Sequence, residues 1–540
     1  MKKMTRIIHA PLAAITLGWL AVQFAPNGFG VVPPPDGGYP NFTTAEGTNA
    51  LLHLTSGAAN TGLGWSSLLN VTTGSFNTGV GAGTLALNIA DSNTATGTAA
   101  LLLNTTGTEN TANGTAALLS NSDGISNSAF GAFALNSNLG GSSNTAVGDR
   151  ALFLNTTGGF NTATGSLALQ ANTIGSDNTA VGAGALEANT GSQNTAVGSG
   201  ALLFNNTGVG NTAVGFQALL SNNGIANTAC GHQALSSNTS GSSNTATGVQ
   251  ALQDNIDGNS NTATGFIALG SNMGGSSNTA DGNNALGANT TGSDNTAIGS
   301  VALSSNTISD GNTALGSHAL GSATGPLNIA LGANAGLNIT TGMRNIDIGN
   351  SGVSNDSHTI RIGTGGIHLR AFIAGIRGVT TGMNNAVPVL IDSDGQLGTT
   401  SSSRRFKKEI KPMDQSSEAI LALKPVTFQY KSDVKDTPQF GLIAEDVAQV
   451  DPDLVVRDND GEIYTVRYDA VNAMLLNEFL KEHRRVQKQT QKIQEQETTI
   501  AELKKQVQTV VAHAKEQDIK IQRVSDRIQI NSSPVVVTDR

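Results

Sequence analysis

One spacing of polar and apolar residues dominates the chain from Asn60 to Gly349. An Asn opens each unit, the fourth residue after it is Gly in all eighteen copies, and the eighth is Leu in the first sixteen. The opening Asn residues are always 16 or 17 positions apart. Helix-pair repeats need about 33 residues or more, whereas a period this short suits one coil of a β-solenoid. The constant Gly predicts a backbone that a Cβ would disturb, and the constant Leu predicts a stacked apolar column.

The unit NTAVGAGALEANTGSQ, which begins at Asn178, is representative. It predicts two short strands, TAVG and GALxxN, with turns in the Asn- and Gly-rich segments between them. Stacked Asn and Thr side chains are expected to form hydrogen-bonded ladders. Each unit has only two or three apolar side chains, so association of several chains would bury more area. Disordered low-complexity sequence is the alternative, but disorder gives no reason for a fixed Leu and Gly register.

A heptad pattern marks the end of the chain. Apolar residues recur every seven positions from Phe479 to Ile528, and Leu503, Val510 and Val524 lie in a second column three positions later. Gln489, Gln496 and Gln517 also occupy that second column. Apolar β-branched residues in both columns favour trimers. The pattern predicts a trimeric coiled coil over 476–530, with a single helix lying on a domain as the alternative.

The segments between the repeats and the coiled coil are predicted to contain β structure. Alternating runs over 357–400 predict a small β connector. The stretches Asp392-Ser-Asp-Gly395 and Asp458-Asn-Asp-Gly461 lie between strand-like runs and lack EF-hand spacing. We therefore interpret both as hairpin turns and not as calcium loops. No metal and no cofactor are expected.

Charge and cysteine content exclude several functions. Only eight of the 30 Lys and Arg residues lie in the first 400 positions, too few to neutralise a phosphate backbone, so no nucleic-acid partner is expected. The single cysteine, Cys230, excludes an intrachain disulfide framework. It stands where neighbouring repeats carry Val or Thr, which predicts a small apolar filler.

The N-terminus predicts export. Lys2, Lys3 and Arg6 precede an apolar run from Ala10 to Ala25, as in a secretory signal. Pro26 follows directly and no clean small-x-small cleavage pattern is present, so an uncleaved anchor is the alternative. Contact with a membrane is expected only through this segment.

Four motifs follow one another after residue 400: SSSRRFKK, LKPVTFQY, FGLIAEDV and VRYDAV. In this order they resemble the intramolecular chaperone of endosialidases and related phage tail spikes, the S74 peptidase family, also seen in the myelin regulatory factor. The resemblance implies a Ser-Lys dyad that cuts the chain just before the Ser. It places the nucleophile at Ser402, the base at Lys407 and the scissile bond between Ser401 and Ser402. The repeats resemble the heads of trimeric autotransporter adhesins and phage-tail-like fibres, although their period is longer than in the adhesin heads.

The chemistry of such a dyad sets conditions on its surroundings. A serine hydroxyl is weakly nucleophilic and needs a base, and lysine serves only when neutral, a form that burial or the nearby Arg404, Arg405 and Lys408 would favour. Nucleophile and scissile bond share one chain, so the reaction runs once per molecule. This sequence departs from the family pattern at Ser403, where phage members often have Asp, and at Glu445 and Asp446, where Gln and Glu are usual. A basic linker without chemistry is the alternative.

Together these features predict a mainly β protein, in which a parallel β-solenoid fibre precedes a small α/β chaperone domain and a trimeric coiled coil. A signal peptide or anchor is predicted at 1–30, a linker at 31–57, the solenoid at 58–356 and the connector at 357–400. The chaperone domain is predicted at 401–475, the coiled coil at 476–530 and a tail at 531–540. The predicted function is a secreted or cell-surface homotrimeric fibre whose chaperone trimerises it and then cuts itself off. A non-cleaving adhesin-type fibre that binds a glycan or other cell-surface ligand is the alternative. A tail fibre with a glycan hydrolase is a weaker one, because the repeats lack paired carboxylates.

Overall fold

The computed structural model describes residues 40–374, 376, 386–392, 395–431, 433–458 and 460–530. The chain divides into two compact units, one ending at Phe372 and the other beginning at Ile373. The predicted N-terminal segment 1–30 and tail 531–540 lie outside the described residues. No helix among those that are described is long and apolar enough to cross a membrane.

Within its described residues, the first unit is a single stack of twenty three-residue strands. Each strand pairs in parallel with the next one along the chain, so that 16 or 17 residues complete each turn of a solenoid, except for 14 residues between the last two strands. With about 4.8 Å between neighbouring strands, the stack is roughly 90 Å long. Strands β1 to β20 are, in order, Thr44–Glu46, Thr61–Leu63, Thr78–Val80, Thr94–Thr96, Thr111–Asn113, Ser128–Phe130, Thr145–Val147, Thr162–Thr164, Thr179–Val181, Thr195–Val197, Thr212–Val214, Thr228–Cys230, Thr245–Thr247, Thr262–Thr264, Thr279–Asp281, Thr296–Ile298, Thr313–Leu315, Ile329–Leu331, Ile346–Ile348 and Ile360–Ile362.

The core of the solenoid consists of continuous columns of Ala and Leu. The middle residue of each strand points inward, and in β9 and β10 the in-register pair is Ala180 and Ala196, both fully buried. The constant Leu, represented by Leu186, is also fully buried, which confirms the predicted solenoid and its apolar column. One chain therefore buries these side chains by itself, and the expectation that association of several chains would bury more area stays a prediction.

The second predicted strand of each unit, GALxxN, is not a strand. Gly184 and Leu186 adopt left-handed backbone, with φ of 63° and 53°, so the segment bends where a strand would extend. It still bonds to the next turn, because the Leu186 amide donates to the Ala201 carbonyl at 3.0 Å. Left-handed backbone costs a non-glycine residue roughly 1–2 kcal/mol, and complete burial of Leu, worth about 1.5–3 kcal/mol, offsets that cost.

Two buried Asn ladders hold the turns together, as predicted for Asn. In the ladder of opening residues, Asn161 Nδ2 donates to Asn144 Oδ1 at 3.1 Å, and in the second ladder Asn172 Nδ2 donates to Asn155 Oδ1 at 3.0 Å. Both side chains also donate to the Gly175 carbonyl at 2.9 Å. Each turn thus satisfies its buried amides through the neighbouring turn. The strand Thr residues lie on the outward side and are not part of these ladders.

The stack extends past the predicted range of 58–356 at both ends, since β1 precedes that range and β20 follows it. At the C-terminal end, Asp347 of β19 occupies the inward position that Ala holds in earlier turns, and Arg361 of β20 pairs with it in register. Arg361 donates twice to Asp356, at 2.5 and 3.0 Å. Asp347 is 1% exposed and its Oδ2 has no hydrogen-bond partner within the described structure. Burial, and next the charge of Asp356, raise the Asp347 pKa to about 6.

Where the structure describes it, the second unit contains three antiparallel hairpins and two α-helices. Strand β21 (Leu390–Ile391) pairs with β22 (Leu397–Gly398). Strand β23 (Val426–Phe428) pairs with β24 (Gln439–Gly441), and β25 (Val455–Arg457) pairs with β26 (Ile463–Val466). The first and third close at the two predicted Asp-Gly turns, where Gly395 and Gly461 donate to the Asp392 and Asp458 carbonyls. The hairpin interpretation of both stretches is confirmed.

Helices complete this unit. Helix α1 is Ala444–Val450 and helix α2 is Tyr468–Ile530, and short 3₁₀ helices lie at Pro40–Phe42, Arg404–Phe406, Asp414–Ala422 and Pro452–Leu454. The buried apolar core of the second unit is small, comprising Val447, Leu454, Val455, Val466 and Met474 within the described residues. Helix α2 contains 63 residues, or roughly 95 Å at 1.5 Å per residue. It begins inside the predicted chaperone domain, so its first turns belong to the core and its remainder to the heptad region.

Candidate functional site

The predicted cleavage segment lies on the surface around one short 3₁₀ turn. Ser401, Ser402 and Lys407 are all exposed. The Phe406 amide donates to the Ser403 carbonyl at 3.0 Å and the Lys407 amide to the Arg404 carbonyl at 3.1 Å, so the turn separates the Ser from the Lys. Among the described contacts, none is a hydrogen bond between Ser402 and Lys407. A single chain thus presents the two predicted groups at either end of one turn without joining them.

The cations of this segment are also exposed to solvent. The Arg405 guanidinium lies 4.6 Å from the centroid of the Phe406 ring, a cation–π contact that positions the arginine over its neighbour. Glu445 and Asp446, which depart from the family pattern, lie in the first turn of α1. Carboxylates there interact favourably with the helix dipole. Their position gives these residues a structural role in the single chain.

A buried serine that the sequence did not single out lies at the base of α2. Ser417, in the 3₁₀ helix Asp414–Ala422, is fully buried and donates to Glu478 Oε1. It accepts from Asn477 Nδ2 at 2.7 Å and from Lys481 Nζ at 3.3 Å. We call Ser417, Asn477, Glu478 and Lys481 the helix-anchor cluster. Ser417 is 60 to 64 positions away from the other three members in sequence, so no local motif could reveal the cluster.

The electrostatics of the helix-anchor cluster argue against catalysis. Lys481 Nζ is 2.6 Å from Glu478 Oε1, and the hydrogen bond to Glu478 is the main factor that raises the lysine's pKa. The same bond, with that from Ser417, lowers the Glu478 pKa. A lysine held as a cation cannot take a proton from serine. The cluster therefore fastens α2 to the preceding 3₁₀ helix through a charged hydrogen-bonded network.

The heptad residues of α2 form an exposed apolar stripe. Ala514 of this column is exposed, and the large apolar side chains spaced by seven are between 47% and 68% exposed: Phe479, Val486, Ile493, Ile500, Val507, Ile521 and Ile528. Leu503, Val510 and Val524 of the second column are exposed as well. The alternative of a helix lying along its own domain does not account for this stripe, because no described residue of the unit covers it.

Cys230 is the third residue of β12 and points outward, between Val214 and Thr247 of the neighbouring strands. The thiol does not fill a core position, because Ala229 holds the inward position of the strand. The residues that flank Cys230 on the outward side of the sheet are Val214 and Thr247, so apolar and polar side chains both occur at this exposed position. No group of His, Cys, Asp or Glu in the described part of the chain could hold a metal ion.

Comparison with known proteins gives one result. No curated protein and no solved structure matches the chain significantly. Residues 402–456 match the sequence model of the Peptidase_S74 family, described as chaperone of endosialidase. The match covers three of the four motifs that carry the predicted resemblance and begins at Ser402. The predicted resemblance of residues 402–456 to the chaperone of endosialidase is therefore confirmed for that segment, and a β-solenoid that precedes it in the chain supports a tail-fibre-like protein with a chaperone domain.

Proposed function

We propose that the protein is a homotrimeric fibre, secreted or displayed at the cell surface, whose C-terminal chaperone brings three chains together and then detaches. The observation that carries this proposal is the uncovered apolar stripe of α2. A fully buried Val or Ile contributes roughly 1.5–3 kcal/mol, so a helix with this stripe gains stability by pairing with copies of itself. β-branched residues at both heptad columns favour three strands over two.

The chaperone domain adds a second argument for association. Its buried core is small, while several large apolar side chains around it are exposed, among them Leu421, Tyr430, Phe440, Tyr464 and Leu475. Exposed apolar patches of this kind are typical of interaction surfaces. Small domains also rarely reach adequate stability without a further constraint such as oligomerisation.

Cleavage would then follow association. Ser402 is both the predicted first residue of the released piece and the first residue of the family match. Lysine becomes an effective base when it is removed from water, and Lys407 is exposed in the single chain. Packing of neighbouring copies around the 3₁₀ turn would supply that burial. The Ser402 hydroxyl would attack the Ser401 carbonyl, and water would then hydrolyse the resulting ester and release both pieces.

Mass measurement of the full chain tests the cleavage. We expect the wild-type chain, expressed in a heterologous host, to yield a piece of residues 402–540 and a piece ending at Ser401. Ser402→Ala and Lys407→Ala should each remain whole. Lys411→Ala and Ser416→Ala are matched controls, because both residues are exposed and lie outside the 3₁₀ turn that carries the dyad, and both variants should still split. A wild-type chain that stays whole while trimeric would support the non-cleaving adhesin-type fibre instead.

The repeat region remains the proposed contact region for a glycan or other cell-surface ligand. Its outward face is rich in Thr and Ser and contains few cations, whereas the ladder Asn residues are buried. Such a surface offers many hydroxyl groups for hydrogen bonds and little attraction for phosphate.

A further inference from the structure

Two columns of side chains flank the apolar stripe of α2. In heptad notation the Phe479 column is a and the Leu503 column is d, so that g precedes each a and e follows each d. The g residues are Arg485, Lys492, Thr499, Gln506, His513, Lys520 and Arg527. The e residues are His483, Thr490, Glu497, Lys504, Val511, Asp518 and Ser525. Charges in these columns set partner choice and orientation in coiled coils.

Several of these side chains are free to meet a neighbouring helix, and four of them are important for the orientation of the helices. Lys492, Glu497, His513 and Asp518 are exposed, and none of them forms an ion pair within the described residues. The ion pairs that α2 does form involve other residues, such as Lys481 with Glu478 and Lys520 with Glu516. The four are therefore unpaired in the single chain and lie at the border of the surface that association would cover.

A parallel, in-register arrangement gives these side chains complementary partners. In that arrangement each g residue faces the e residue five positions later on the next helix. Lys492 then faces Glu497 of the next chain, and His513 faces Asp518. The remaining pairs, such as Arg485 with Thr490 and Lys520 with Ser525, contain no like charges.

An antiparallel arrangement gives like charges instead. The alignment that overlaps the whole stripe still gives apolar pairs, such as Val486 with Val524, but it also places Ile493 opposite Gln517. It also places g residues opposite g residues, which brings Lys492 to Lys520. In addition, Arg485 meets Arg527, and Lys504 meets its own copy. Like charges facing one another across an interface are destabilising.

We infer that Lys492 and Glu497, with His513 and Asp518, select the parallel and in-register association of α2 with further copies of this chain. The inference rests on the proposed trimer and adds its orientation and the residues that determine it. Because all copies then start from the same end, the connector and solenoid of each chain emerge side by side.

Charge reversal distinguishes the two orientations by the sign of its effect. The parent is the full chain with Ser402→Ala, in which α2 stays attached. Association is followed over a dilution series by light scattering. Lys492→Glu would face Glu497 in the parallel form and should raise the half-association concentration by roughly tenfold at low salt. In the antiparallel form it would face Lys520 and strengthen association.

Companion variants separate orientation from general charge effects. Lys488→Glu makes the same charge change on the outward side of the helix and should leave association unchanged. Lys492→Glu combined with Glu497→Lys should restore the parent's behaviour, and all differences should fade in about 1 M salt. A neutral or strengthening effect of Lys492→Glu in a trimeric parent overturns the inferred orientation alone. A parent that stays monomeric overturns the proposed trimer and this inference with it.

Discussion

The constant glycine of each solenoid turn touches the backbone of the next turn. Gly182 has φ of 135°, and a Cβ built on it would lie 2.6 Å from the Gly198 carbonyl carbon. Gly210 also has positive φ, 68°, but a Cβ there would meet nothing within 4 Å. Both glycines therefore have a backbone that is strained for other residues, but only Gly182 also lies against the backbone of the next turn.

We expect Gly182→Ala to destabilise the solenoid far more than Gly210→Ala. The second substitution carries the left-handed penalty of roughly 1–2 kcal/mol, whereas the first must also push two turns apart. Thermal unfolding of the full chain, together with hydrogen exchange of the Ala column amides, measures the difference. Equal effects of the two substitutions would show that the close approach is unimportant.

The buried carboxyl of Asp347 predicts a pH dependence at the end of the stack. Its folded pKa of about 6 is raised above the ordinary value of 3.8. The stabilisation that comes from the protonated Asp347 carboxyl is thus complete below pH 3.8. It is lost as pH rises through about 6, and the loss is about 3 kcal/mol at most. Hydrogen exchange at β19 and β20 should therefore be slower at pH 5 than at pH 7.5.

Asp347→Ala provides the comparison, because Ala is the residue that earlier turns carry at this position. The variant should protect these strands equally at both pH values, after correction for the intrinsic exchange rates. Arg361 and Asp356 face the same carboxyl and are unchanged in it. If the wild-type strands were better protected at pH 7.5, the assignment of this carboxyl as a buried, unpaired acid would be wrong.

At the scale of elements, α2 depends on the helix-anchor cluster for its attachment. Ser417→Ala removes the hydroxyl that Glu478, Asn477 and Lys481 share, and the loss of such a buried partner costs roughly 1–3 kcal/mol. We expect faster hydrogen exchange in the first three turns of α2. Ser416→Ala, one position away and exposed, is the matched control and should have no effect.

The same cluster predicts the opposite response to acid from that of Asp347. The Glu478 pKa is lowered from 4.5, so its contribution is present above that value and is lost as pH falls through the lowered pKa. The start of α2 should consequently loosen in strong acid, and Glu478→Gln should weaken it already at neutral pH. Exchange rates that do not change below pH 4 would contradict this role.

How far the elements could be predicted depends on whether their signal is local. The TAV strand, the Leu column, the Asn ladders and the hairpin turns each follow from a spacing within one unit or one turn. The prediction of a strand at the GALxxN segment is wrong, because the alternation of apolar residues does not reveal the left-handed backbone at Leu186. The motifs after residue 400 led to Ser402 and Lys407, but the Ser417 contacts arise only when distant segments meet.

For the whole molecule, the fully buried columns show that one chain can close the solenoid core by itself. The proposed trimer rests instead on the exposed stripe and small core of the second unit, and exposed apolar side chains on the turns, such as Phe160 and Ile174, would help hold the released fibre together. Parallel stacking of near-identical turns is open to slips of register. A chaperone that aligns three chains from one end would limit such slips before the repeats fold.

Native mass spectrometry of the purified wild-type protein tests the central claim most directly, because one spectrum reports both association and cleavage. We expect a trimer of the piece that ends at Ser401, less any removed N-terminal segment, and a separate species made of residues 402–540. A single uncut chain with the mass of one monomer would contradict it.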